Sequence, residues 1–81
     1  MHIYQLDDKK TDQAFLNGEN VSGKAVLSTV VGDPPKEGDA LLVILSNGKK
    51  YKAQVTKVAL FVLNEYYVGE IEFIKSSFYQ K

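Results

Sequence analysis

The 81-residue sequence contains no cysteine and no arginine. Without cysteine, neither disulfides nor thiolate-bound metals can hold the fold. The absence also fits a reducing compartment. Without arginine, all ten basic residues are lysines. Bidentate reading of guanine, phosphate forks and arginine fingers all need the planar guanidinium, so sequence-specific nucleic-acid readout is not expected. Ten acidic residues cancel the ten lysines. The chain therefore lacks the global field that draws proteins to nucleic acid or anionic membranes. No stretch approaches the roughly 20 apolar residues that span a bilayer. Met1 to Lys10 has no basic region followed by an apolar run, so it is not expected to be a signal peptide. Nor is there a phosphate-binding G-x-x-x-x-G-K-[ST] run. The expectation is a single small cytoplasmic domain over residues 1–81, with no membrane contact. A chain of this length buries roughly 60–65 % of its unfolded surface. Its hydrophobic content of 44 % argues against disorder.

What is present is organised around one hairpin. Two extended runs, Ala40 to Leu45 and Lys49 to Val55, flank Asn47-Gly48. That dipeptide predicts a two-residue type I′ turn, which needs positive φ at both positions. The predicted register sets Ile44 opposite Tyr51, Leu42 opposite Ala53 and Ala40 opposite Val55. The second strand is then two-sided, because side chains alternate along a strand. Tyr51, Ala53 and Val55 point in, while Lys50, Lys52, Gln54 and Thr56 point out. A one-residue slip of that strand would bury its lysines. The first strand is apolar on both faces, and the predicted register leaves Leu41, Val43 and Leu45 outside.

Elsewhere the chain alternates strands with turn signals. His2 to Leu6 reads as a strand. Within Asp7 to Asn20, Thr11 is a candidate cap for one helical turn carrying Ala14, Phe15 and Leu16 and ended by Asn17-Gly18; a loop is the rival reading. Val21 to Val31 reads as a strand in which Gly23 marks a bulge or a close backbone approach. Gly32 to Asp39, with two prolines, is a loop. A bulge is expected at Thr56-Lys57, where the inward parity changes. Leu63 to Tyr66 is a connection, and Tyr67 to Lys75 a last strand that sets Lys57 near Glu72. Ser76 to Lys81 forms a tail whose Phe78 and Tyr79 are either tucked back or loose. The expected fold is all-β: a five- to six-stranded antiparallel barrel, closed or partly open, with at most one short helical turn.

The run from Val21-Ser22-Gly23 through Val31-Gly32, Lys36-Glu37-Gly38-Asp39-Ala40-Leu41, Asn47-Gly48 and Tyr51 to Val58 resembles the second domain of elongation factor Tu and related translation GTPases. Tyr67-Val68-Gly69-Glu70-Ile71 looks like that family's later strand. The likeness covers about two thirds of the chain, and with no GTPase motif it implies a free-standing barrel. In the family this barrel helps hold the aminoacyl end of tRNA or packs on the GTPase domain; no binding residue carries over. Asn20-Val21-Ser22-Gly23 also loosely resembles one element of the PilZ barrels, which bind a cyclic dinucleotide. Those barrels use paired arginines, which are missing here.

The candidate sites follow from these patterns. Leu41, Val43 and Leu45 form an outward apolar set that reads as a contact for a protein partner or a second copy; the rival reading covers it with the Phe15-Leu16 turn or the Phe78-Tyr79 tail. Lys50, Lys52 and Lys57, with Lys49, form a basic stripe. It reads either as RNA or tRNA contact or as a solvated face that blocks sheet-to-sheet aggregation. Tyr4, Tyr66, Tyr67, Phe78 and Tyr79 read as a base-stacking surface or as barrel packing. His2, near Asp7 and Asp8, is a weak catalytic candidate. Asp33, Glu37 and Asp39 are candidates for cation binding or for setting turns. No cofactor, metal site or enzymatic activity is expected. The expected function is a non-enzymatic binding or assembly module, with RNA contact as the alternative.

Overall fold

A computed structural model describes residues 2–30 and 32–76. The elements are β1 (His2–Gln5), α1 (Lys9–Leu16), β2 (Val21–Ser28), β3 (Ala40–Ile44), β4 (Lys50–Leu63) and β5 (Tyr66–Lys75). The strands form one sheet in the order β1-β3-β4-β5-β2, curled into a half-barrel. The fold is thus the expected small, open all-β barrel. Two details differ. β1 runs parallel to β3, and α1 has eight residues, about two turns.

The β3–β4 hairpin carries the main correction. Its loop has three residues, not two. Gly48 donates its N–H to Leu45 O (2.9 Å), and Leu45 donates to Lys49 O (2.8 Å). Gly48 is at φ 92°, while Asn47 is not at positive φ. A turn over Ser46-Asn47 followed by a left-handed glycine is the bulged three-residue hairpin. The extra loop residue slides β3 by one position, so Val43 faces Tyr51 and Leu41 faces Ala53. A slip of one swaps every side chain to the other face. Leu41 (1 % exposed), Val43 (0 %) and Leu45 (1 %) are therefore core residues and offer no contact surface. β4 keeps its expected faces: Ala53 and Val55 are buried, and Lys50, Lys52 and Gln54 are exposed.

The bulge in β4 lies where expected, with the register shifting between Val55 and Lys57 and Lys57 pairing with Glu72. Thr56 Oγ1 lies 3.1 Å from both Asn20 Oδ1 and Glu72 Oε2. Beyond the bulge Val58 and Leu60 pack against the core, and Val62 follows their parity but is exposed.

One end of the half-barrel is closed by α1. Asp8, rather than Thr11, is its N-cap, accepting from Thr11 N–H (3.2 Å) and Thr11 Oγ1 (2.6 Å). These bonds hold the Asp8 carboxyl below its ordinary pKa, the Thr11 side chain contributing most. Asn17-Gly18 ends the helix as expected. Phe15 is fully buried, with its ring 5.9 Å from Phe73 and 6.0 Å from Tyr51, both edge-on. Asp12, also buried, accepts from Ser46 N–H at 3.1 and 3.2 Å and from the Ser46 hydroxyl, which ties the helix to the hairpin loop. The loop before β3 covers the opposite end and buries Pro35.

Candidate functional site

β1 and β2 are the two ends of the sheet, and they do not pair with each other. They flank an open seam. A hydrogen-bonded neighbour would lie about 4.8 Å away. Instead, the Tyr4 side chain crosses from β1, and its hydroxyl donates to the Lys24 carbonyl of β2 at 3.0 Å. The contact between the two strands is thus made by a side chain and not by main-chain pairing. Its ring packs on Phe73, centroid to centroid 5.2 Å, and lies against the bare Cα of Gly23. A Cβ there would collide with the Tyr4 hydroxyl and ring. This is the close backbone approach that Gly23 signalled. Burial, followed by the nearby charges of Asp7 and Glu70, raises the Tyr4 pKa above its ordinary value.

The seam opens into two cavities. One of about 190 Å³ is lined by β1, by Lys24 to Leu27, and by Pro35, Leu41 and Ile71. A second of about 440 Å³ is lined by Tyr4 to Asp7, Thr11 and Ser22 to Lys24. At the Pro35 end, His2 Nε2 lies 3.1 Å from Asp33 O.

Hydrogen-bond parity defines the two banks. Leu6 donates its N–H to Ile44 O (2.8 Å). The even-numbered residues of β1 therefore face β3, and Ile3 and Gln5 turn their main-chain groups to the seam. Thr29 donates to Glu65 O (3.0 Å), and the Lys24 carbonyl meets Tyr4. Ser22, Lys24 and Val26 thus turn theirs to the seam from the other side.

One row of the outer face beside the seam is apolar. Phe61, Val68 and Val26 form one row across β4, β5 and β2, and Ile3 pairs with Leu42 on the far bank. Phe61 is 58 % exposed, Val26 66 % and Ile3 61 %. Leu63 and Tyr66 extend the surface by one row and are also exposed. The sequence reading missed this band. Its signal was the second apolar parity of Phe61 and Leu63 after the bulge, together with Val26 and Val68 at outward positions.

Lys50, Lys52 and Lys57 are all exposed, and the strand parity with the bulge sets them on one outer face. Glu72 stands opposite Lys57. The aromatic residues do not form one surface: Tyr4 lines the seam, Tyr66 is exposed and Tyr67 pairs with Val62. Phe78 and Tyr79 lie outside the described residues. Asp39 accepts from Lys36 N–H (2.9 Å) and so sets its own loop turn. Among the described residues, no group of three or more His, Asp or Glu side chains is placed to hold a metal ion. No helix among them is long and apolar enough to cross a membrane. No family model, curated protein or solved structure matches the chain.

Proposed function

We propose that the chain is a non-enzymatic protein-binding module. Its contact surface is the outer apolar band: Phe61, Val68 and Val26 on one bank of the seam, Ile3 and Leu42 on the other. The exposure of Phe61, Val26 and Ile3 carries this reading. These side chains sit on an outward face with no core to fill, and contiguous exposed apolar surface marks interaction sites. Lys24, Glu70, Lys57 and Glu72 border the band with both signs of charge, which suits a polar rim.

The test pans a displayed random-peptide library on the wild-type chain, with the Phe61→Lys/Val26→Lys double variant as counter-target. Sequences that bind the wild type and lose the variant are expected. A library that never separates the two overturns the reading. Light scattering of both chains separates a foreign partner from a second copy.

RNA contact is the second reading, favoured by the shared outward face of Lys50, Lys52 and Lys57, and the translation-factor resemblance points the same way. Against it, Glu72 stands opposite Lys57 in the register and sets a negative charge beside the stripe. Affinity for RNA at low salt that falls steeply with added salt would favour this reading.

A further inference from the structure

We infer that the seam between β1 and β2 receives an extended segment of a partner protein, which pairs as an added strand with the main chains of both banks. This rests on the protein-binding reading and names the form of the partner. Three observations carry it. First, Ile3 and Gln5 on one side and Ser22, Lys24 and Val26 on the other present main-chain groups to the same gap. Edge strands are templates for another strand, and proteins commonly blunt them with charge, proline or a covering element. Here Lys24 supplies one such charge, but the exposed Ile3 and Val26 leave apolar side chains along the same two edges. Second, the two banks are linked by the Tyr4 hydroxyl and not by main-chain bonds, and residues of both line a cavity of about 190 Å³. The Lys24 carbonyl has two lone pairs, and Tyr4 uses one. Third, Ile3 and Val26 stand exposed on opposite banks. An inserted strand would place its outward side chains between them.

The geometry also sets what fits. β1 is parallel to β3 and β2 is antiparallel to β5, so β1 and β2 run in opposite directions. One added strand is then parallel to one bank and antiparallel to the other. Inward positions meet the Tyr4 ring, Pro35 and Leu41 around a cavity of about 190 Å³, which favours small side chains. Outward positions favour aliphatic ones. Main-chain pairing supplies the affinity and the alternate side chains the selectivity, as in other strand-addition sites.

The probe is the acetylated and amidated heptapeptide Lys-Val-Ala-Val-Ala-Val-Lys at millimolar concentration, with amide hydrogen exchange read by NMR on the full chain. In the free protein the amides of Ile3, Gln5, Lys24 and Val26 exchange fast. With peptide they slow by roughly tenfold or more. Peptide N-methylated at alternate residues loses the effect. So does Val26→Pro, whose missing N–H faces the seam and takes nothing from the β2–β5 ladder; circular dichroism checks its fold. Slow exchange of those amides in the free chain overturns the inference, because the edges are then already paired. Equal binding by the N-methylated peptide overturns it too, as does binding that leaves the four amides unprotected; both leave the outer-band contact standing. No effect of the heptapeptide, while library-selected peptides still bind, overturns the seam and spares the protein-binding reading.

Discussion

The Tyr4 hydroxyl donates to the Lys24 carbonyl at 3.0 Å across the unpaired seam, over a residue that has no side chain. The tyrosine and Gly23 are one device: the ring closes the inner side of the seam because position 23 leaves room for it. Gly23→Ala should displace the ring and cost about 1–3 kcal/mol, as overpacking does. Tyr4→Phe should cost about 0.5–1.5 kcal/mol, the net worth of one hydrogen bond. In a Tyr4→Ala background, Gly23→Ala should lose most of its effect. Urea denaturation of the four chains gives the coupling, and additive costs would refute the shared role.

The same tyrosine gives stability a dependence on high pH. Burial, with Asp7 and Glu70 nearby, raises its folded pKa. The neutral phenol is therefore favoured in the fold. Its contribution is fully present below the unfolded value of 10.0 and is lost as pH rises through the higher folded value. Urea midpoints should fall as pH rises from 10.0 toward that higher value, and Tyr4→Phe should fall less steeply. Parallel slopes for the two chains would rule Tyr4 out as the cause.

Position 43 separates core from surface. Val43→Asp should unfold the chain, since it places an unpaired charge among fully buried neighbours. Leu41→Ala should cost about 2–5 kcal/mol, the range for a truncated core leucine. Val26→Lys, on the outer band, should stay within about 0.5 kcal/mol of wild type. Thermal melts of the three variants rank them; a Val43→Asp chain as stable as the Val26→Lys chain would return Val43 to the surface.

The contrast between β3 and β4 explains what was legible in the sequence. β4 alternates lysine with Tyr51, Ala53 and Val55, so its faces could be read directly, and the parity change after Val55 located the bulge. Leu41 to Leu45 is apolar at every position, so alternation carries no information there. Its faces depend wholly on turn length, and Asn47-Gly48 serves a two-residue and a three-residue loop alike. That the outer band continues across the seam was illegible for a related reason. Val26 and Ile3 become neighbours of one gap only once the strand order sets β1 and β2 at opposite ends of the sheet. Gly23 did signal a close approach, but a glycine does not say which side chain approaches.

Asp12 holds the helix to the hairpin, and the two ends of that contact should respond unequally. Its buried carboxylate accepts from the Ser46 N–H and from the Ser46 hydroxyl. Asp12→Ala removes the charged acceptor of the Ser46 N–H, which costs about 1.5–3 kcal/mol, the net worth of a hydrogen bond to a charged group. Ser46→Ala removes only the hydroxyl and keeps the main-chain bond, so it should cost less. Asp12→Asn keeps a carbonyl acceptor for the N–H and should fall between. The Ser46 amide supplies the readout that separates this from a general loss of stability. Its exchange should accelerate in Asp12→Ala beyond the change at Val55, a core amide bonded to Asp39 O at 2.9 Å, and return toward wild type in Asp12→Asn. If the Ser46 and Val55 amides accelerate together in every variant, the carboxylate acts through the whole fold and not through the loop.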